Sequence, residues 1–224
     1  FSECMDWRVY LCKCALRLAL KINRFYDHKT KDCIKKLKIK MALTVSNELA
    51  LGIIAPNFTL RNTINDQIVT LSELRGEKGT VILFICNHCP YVIHVNDELV
   101  KMASQYQKKG INFIAISSND VEKYPQDAPH LMKQLAKDLK YPFPYLYDED
   151  QKVAKDYAAA CTPDFYVFDE VLKLVYHGQL DDSRPGNEKP VSGKDIRNSL
   201  YNLLENKPVL QKQQPSMGCG IKWK

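Results

Sequence analysis

The chain has 224 residues, with 45% hydrophobic and 10% aromatic content, the values of an ordinary globular protein with room for one domain and appendages. No apolar run approaches the roughly 18–20 residues of a membrane span. The net charge of +6 does not mark a nucleic-acid binder: residues 1–40 hold 11 Lys/Arg against 4 Asp/Glu, and the remainder holds 21 against 22, so the body is near neutral.

Residues 1–40 contain no Gly and no Pro. Leu11, Ala15, Leu18 and Ile22 form an apolar stripe between Arg8, Lys13, Arg17, Lys21 and Arg24. This basic extension reads as a presequence, as an arm for a membrane surface or nucleic acid, or as a segment outside the functional protein. The last reading is favoured. The chain begins at Phe1, and Met41-Ala42-Leu43-Thr44 resembles a fresh start. Cys4, Cys12, Cys14 and Cys33 lie here and are treated as incidental.

Gly52 and Pro56 punctuate the entry to a short strand, Phe58-Thr59-Leu60. Asn65-Asp66 is a turn and Ile68–Leu71 a partner strand. Ser72–Gly76 reads as one helical turn closed by Gly. Val81–Ile85 carries no charge and is β-branched or aromatic at four of five positions, a strand buried on both faces. Cys86-Asn87-His88-Cys89-Pro90 follows. Val95, Leu99, Met102 and Tyr106 then recur at helical spacing. Pro suits the first turn of a helix, which places Cys89 at the helix N-terminus. The partial positive charge there stabilises a thiolate, and a thiolate is a nucleophile.

Gly110 ends that helix, and Ile111–Ile116 is the next buried strand. Residues 126–140 predict a helix with Leu131, Leu135 and Leu139 on one side. Tyr145–Tyr147 is a strand and Asp148–Ala159 a short helix. Strands at Phe165–Phe168 and Leu172–Tyr176 are joined by Asp169-Glu170. Asp181–Asn187 is a loop, and Ser192–Glu205 a helix with Ser192 as N-cap. The tail, 207–224, is expected to be irregular. Buried strands alternating with helices, closed by an antiparallel pair and a helix, argue for an α/β three-layer sandwich. The expected division is an extension at 1–40, a domain at 41–206 and a C-terminal tail.

Four cysteines lie in the body: Cys86, Cys89, Cys161 and Cys219. They are not spaced as a disulfide scaffold, and they suit a reducing compartment with a few active thiols. A metal reading, with copper or zinc on Cys86, His88, Cys89 and His94, also exists. His88 sits awkwardly between the two cysteines for one centre, and no second Cys-x-x-Cys completes the set.

Ala-Pro-Asn-Phe, Phe-Ile-Cys-Asn-His-Cys-Pro-Tyr-Val, Ile-Ser-Ser-Asn-Asp, Tyr-Pro-Gln-Asp-Ala-Pro, Ala-Ala-Cys-Thr-Pro-Asp-Phe, Asp-Asp-Ser-Arg-Pro-Gly-Asn and Gly-Cys-Gly-Ile-Lys-Trp-Lys resemble, in that order, the peroxiredoxin-like branch of the thioredoxin superfamily. That branch is grouped with the alkyl hydroperoxide reductase/thiol-specific antioxidant proteins. The resemblance runs from about Met41 to Lys224. It implies a thioredoxin-like sandwich, a central mixed sheet with helices on both faces.

The resemblance also implies a thiol-based oxidoreductase with antioxidant activity, reducing a peroxide or a disulfide through the Cys89 thiolate. Cys86, Cys161 and Cys219 are the candidate resolving thiols. In such a fold the Thr162-Pro163 bond is cis and its loop touches the active sulfur, which makes Thr162 and Pro163 substrate-binding candidates and brings Cys161 near Cys89. His88 could lower the Cys89 pKa or shuttle a proton. Arg184 could stabilise a thiolate or a bound anion, or only tie down its loop. Cys219, between two glycines, reads as a mobile tail thiol.

Two departures stand out. The peroxiredoxin signature Pro-x-x-x-Thr-x-x-Cys meets Ile82 and Cys86 here when counted back from Cys89. A thioredoxin register that starts at Cys89 meets Val92 in place of the second Cys. A non-catalytic binding module and a Cys/His metal-binding protein are therefore the rival readings. The implied partners are the oxidant and an external thiol reductant such as a thioredoxin or glutathione system, with no cofactor, no nucleic acid and no membrane span; a homodimer is compatible. The expected location is cytoplasmic, with organellar targeting by residues 1–40 left open.

Overall fold

A computed structural model describes residues 43–224. The readings made of residues 1–40, including their four cysteines, lie outside the described residues.

The central sheet has seven strands: β2 (Thr59–Asn62), β3 (Ile68–Thr70), β4 (Gly79–Phe84), β5 (Ile111–Ser117), β6 (Tyr145–Tyr147), β8 (Asp164–Asp169) and β9 (Leu174–Gly178). Their order is β3-β2-β6-β5-β4-β8-β9. β4 pairs in parallel with β5 and antiparallel with β8, so the sheet is mixed. A second sheet of three antiparallel strands sets β10 (Met217–Gly220) between β1 (Leu43–Val45) and β7 (Cys161–Thr162).

β4 is buried at every residue, as an uncharged β-branched run at the centre of a sheet requires. Alternation divides its side chains between two faces. Ile82 and Phe84 join Ile114, Ile116, Tyr166 and Phe168 in one core cluster, which also takes Leu71 of α1 (Leu71–Leu74) and Val153 and Ala154 of α4 (Lys152–Asp156). On α2 (Pro90–Tyr106), Val92, Val95, Leu99, Met102 and Tyr106 are buried. α5 (Lys194–Leu204) is tied to α2 by a hydrogen-bonded ion pair from Arg197 to Glu98.

Several boundaries and faces differ from the sequence reading, some of them for a local polar reason. The turn α1 is closed at Arg75 rather than Gly76, and a capping box between Thr70 and Glu73 starts it. The helix expected over 148–159 shrinks to Lys152–Asp156. Gln151 and Ala158 have positive φ, and the buried Asp148 carboxylate accepts from the backbone N–H groups of Val153 and Ala154 at 3.2 and 2.9 Å. In α3 (Pro129–Asp138) the buried residues are Met132 and Ala136; Leu131, Leu135 and Leu139 are only half-buried flanks. β9 starts two residues late because Asp169 Oδ1 accepts from Val171 N and Lys173 N, drawing 170–173 into the turn. Ser192 does not cap α5. The cap residue is Gly193 at φ 65°, and the buried Asp181 carboxylate takes the Ser192 and Gly193 N–H groups at 2.7 Å each. Finally, the tail is not irregular throughout: Met217–Gly220 is the middle strand of the small sheet.

Candidate active site

The site lies where the C-terminal end of β4 meets the small sheet. β4 ends at Phe84, which packs against Tyr157 and Tyr166. Two residues on, the chain reaches Cys86. Cys89 occupies the N-cap of α2, with extended backbone and Pro90 at the first helical position. A 17-residue helix so placed aims its positive end at the Cys89 sulfur.

Opposite Cys89 stand β7 and β10. In their register Cys219 faces Thr162 and Gly220 faces Cys161. This pairing seats Cys219 Sγ 2.9 Å from Cys89 Sγ. Gly218 makes the approach possible, since a Cβ there would stand 1.9 Å from the Thr162 carbonyl oxygen. Cys219 is 2% exposed and Cys89 0%. The reading of Cys219 as a mobile tail thiol is thereby corrected: a strand hydrogen-bonded on both edges fixes it beside Cys89. All four body cysteines are buried and free.

The Thr162–Pro163 peptide is cis. When protonated, Cys89 donates to the Thr162 carbonyl oxygen at 3.1 Å. When ionised, it accepts from the Cys219 thiol first and from the Cys86 thiol second; together they outweigh burial and hold Cys89 well below the ordinary thiol range. The same contacts work in reverse on the partners. Donation to Cys89, then burial, pushes Cys219 and Cys86 up. Cys86 Sγ also lies 3.6 Å from the Thr162 hydroxyl. Burial first, and the Asp164 carboxylate second, push Cys161 up. Its thiol turns to the Pro163 carbonyl at 3.8 Å. Sequence proximity to the cis-proline loop therefore does not give Cys161 a sulfur contact of the kind Cys219 makes.

His88 is not a free surface residue. Its Nδ1 lies 2.7 Å from Asp127 Oδ2 and 3.9 Å from Cys86 Sγ. Its ring stacks on Tyr124 at 5.7 Å. Asp127 is wholly buried and also accepts from Asn87 N and Asn119 Nδ2 at 2.8 Å each. Asp127, Asn119 and Tyr124 are site residues that sequence reasoning did not single out. The signal was present, because Tyr124 and Asp127 stand in Tyr-Pro-Gln-Asp-Ala-Pro and Asn119 in Ile-Ser-Ser-Asn-Asp.

Among the described residues, the ligand atoms of Cys86, His88 and Asp127 lie within 4.8 Å of one another and form a group able to hold a metal ion. His94, expected in a Cys/His set, instead bonds the Ser183 hydroxyl at 2.7 Å.

Among the described residues, Arg184 makes no hydrogen bond to a cysteine, although its charge acts against the rise of Cys161. Its guanidinium donates to the Asp181 and Ser183 carbonyls at 2.6 and 2.7 Å and to Gln179 Oε1 at 2.5 Å. It ties its loop and touches no sulfur among these contacts. It lines a cleft of about 290 Å³, part of it open solvent, whose walls include Tyr91, His94, Pro163 and Met217.

A Cys at a helix start, a cis-proline loop against its sulfur and a second thiol delivered by a neighbouring strand set the frame for comparison with known proteins. The AhpC/TSA family profile matches residues 51–177. The chain belongs to the AhpC/TSA family. A curated relative, the chloroplastic peroxiredoxin Q of Oryza sativa subsp. japonica, is 26% identical over 145 residues. That alignment covers 61% of this chain and 63% of the relative, so the chain spans under two thirds of the curated relative's length.

Solved structures extend the likeness. An uncharacterized conserved protein from Geobacillus kaustophilus is 58% identical with a TM-score of 0.81, covering 82% of this chain and 97% of that one. A hypothetical protein from Sinorhizobium meliloti 1021 is 42% identical with a TM-score of 0.79, covering 81% and 98%. The thioredoxin domain of a thiol-disulfide oxidoreductase from Bacteroides vulgatus is 19% identical with a TM-score of 0.51, covering 71% and 98%; at that distance the likeness is one of fold. By fold this AhpC/TSA chain is thioredoxin-like, and the curated relative it is similar to is a peroxiredoxin. Among its described residues no helix is long and apolar enough to cross a membrane.

Proposed function

We propose that this chain is an antioxidant thiol peroxidase in which Cys89 is the nucleophile and Cys219 the resolving thiol. The observation that carries the reading is the 2.9 Å approach of the two sulfurs, one on a helix N-terminus and the other on β10. The Cys89 thiolate attacks one oxygen of a hydroperoxide. The O–O bond breaks, the distal fragment leaves as an alcohol or water after taking a proton, and Cys89 becomes a sulfenic acid. The Cys219 sulfur then attacks the Cys89 sulfur. Water leaves, and a disulfide forms. An external dithiol returns both cysteines to the reduced state.

Cys86 stands where the peroxiredoxin signature places Thr. Its S–H, like that hydroxyl, can donate to the active sulfur, and that donation first, then burial, keeps it protonated. The same nucleophile could also attack a disulfide and form a mixed disulfide with it; the Thr162–Pro163 loop against Cys89 favours this second reading. Four buried free thiols suit a reducing compartment such as the cytoplasm.

The test is intact mass and disulfide mapping after one equivalent of hydrogen peroxide. The expected product has lost two hydrogens and links Cys89 to Cys219. In Cys219→Ser, the sulfenic acid on Cys89 should persist. A Cys89–Cys86 or Cys89–Cys161 link would reassign the resolver, and an unreacted Cys89 would favour a non-catalytic module.

A further inference from the structure

We propose that the cleft beside Pro163 is a carboxylate-binding subsite in which Arg184 receives the acid group of an organic hydroperoxide. The proposal deepens the peroxidase reading and rests on it for the substrate, though not for the binding.

The argument starts from a charge without a counter-charge. Arg184 is half-buried. Its three hydrogen bonds go to two backbone carbonyls and an amide oxygen, all neutral. Among the described residues no carboxylate oxygen lies within ion-pairing distance of it. Its Nε–H is buried and has no acceptor. A guanidinium drawn out of bulk water, with neutral acceptors and an orphan donor, carries a desolvation cost that its three hydrogen bonds offset only in part. An anion in the cleft would supply the missing charge.

The only carboxylate in the cleft wall, Asp181, does not do so. Its two oxygens are taken by the N–H groups of Ser183, Ser192 and Gly193 at 2.8, 2.7 and 2.7 Å, and by the Ser192 hydroxyl at 3.4 Å. Ser183 and His94 are also engaged. The Ser183 hydroxyl donates to the Lys189 carbonyl at 2.7 Å, which leaves it to accept from His94.

Shape and surroundings narrow the ligand class. The cleft, about 290 Å³ with part of it open solvent, has room for a small headgroup and a short chain. The remaining wall is apolar, with Val95, Phe165, Leu180 and Met217, and would follow an alkyl chain. The cleft also borders the redox centre. Pro163 follows Thr162, whose carbonyl meets Cys89, and Met217 begins the strand that carries Cys219.

The test uses the full chain and two probes, hexanoate and its uncharged methyl ester, in calorimetric titrations. One charge-assisted hydrogen bond corresponds to roughly ten- to hundredfold in affinity. Hexanoate should bind at least tenfold more tightly than the ester. Arg184→Gln should erase the difference, and Arg184→Lys, which keeps the charge, should retain part of it. Equal affinity for acid and ester in the unmodified chain overturns the proposal, whether or not the variants fold.

Turnover of 6-hydroperoxyhexanoate and of its methyl ester adds the functional arm, with a higher kcat/KM expected for the acid. If hexanoate binds through Arg184 but no hydroperoxide is consumed, the peroxidase reading fails and the subsite stands. If hydrogen peroxide is consumed and hexanoate shows no preference, the subsite alone fails.

Discussion

The two sheets of this protein are held together by different physics. The seven-stranded sheet is an apolar structure. All six residues of β4 are buried, and its neighbours β5 and β8 are nearly so. The three-stranded sheet has short strands, and Leu43 and Val45 of β1 are exposed at 54% and 45%. It is held by backbone pairing and by a close approach that only glycine permits at position 218. Cys89 hangs from the first sheet and Cys219 from the second. The two sulfurs thus meet at the seam between a deep core and a shallow one.

The sharpest way to break the comparison is at the nucleophile. Cys89→Ser should abolish peroxide turnover while far-ultraviolet circular dichroism stays unchanged; retained turnover would remove Cys89 from the chemistry. Next, Ile82→Ala probes the large sheet, where the side chain is fully buried. It should cost about 2–5 kcal/mol in urea unfolding and leave the Cys89–Cys219 disulfide yield unchanged. Gly218→Ala probes the small sheet. Its new Cβ collides with the Thr162 carbonyl, so the stability loss should be smaller, about 1–3 kcal/mol. Disulfide yield after one equivalent of peroxide should nevertheless fall. If Ile82→Ala lowered the yield and Gly218→Ala did not, the division between the sheets would be wrong.

The smallest effect concerns pH. An ordinary thiol loses reactivity as pH falls below about 8.5. Cys89 is held lower by the donors from Cys219 and Cys86, so its thiolate persists as pH falls through that range. Alkylation of Cys89 by iodoacetamide should stay flat there. Cys161, pushed up by burial, should be slow throughout.

Much of the large sheet was legible in the sequence. Val81–Ile85, Ile111–Ile116 and Phe165–Phe168 are uncharged or nearly uncharged runs, and burial on both faces leaves that mark directly in the residues. The helix after Cys89 was equally legible, because Val95, Leu99, Met102 and Tyr106 all face the core. At two helix starts where the reading slipped, a buried aspartate had taken the backbone N–H groups. Asp181 took the start of α5 from Ser192, and Asp148 shortened α4.

The candidate site divides in the same way. The sequence by itself determined that Cys89 would begin a helix at the end of a buried strand, since Pro90 and the apolar periodicity are local signals. It could not choose among Cys86, Cys161 and Cys219, which lie 3, 72 and 130 residues away along the chain. Met-Gly-Cys-Gly has no strand propensity of its own. It becomes β10 only because β1 and β7 offer hydrogen-bonding edges on either side and Gly218 lets the backbones close. Which sulfur stands beside Cys89 is an outcome of long-range strand pairing. Local sequence carries no record of it, because the energies that decide it exist only once distant segments are in contact.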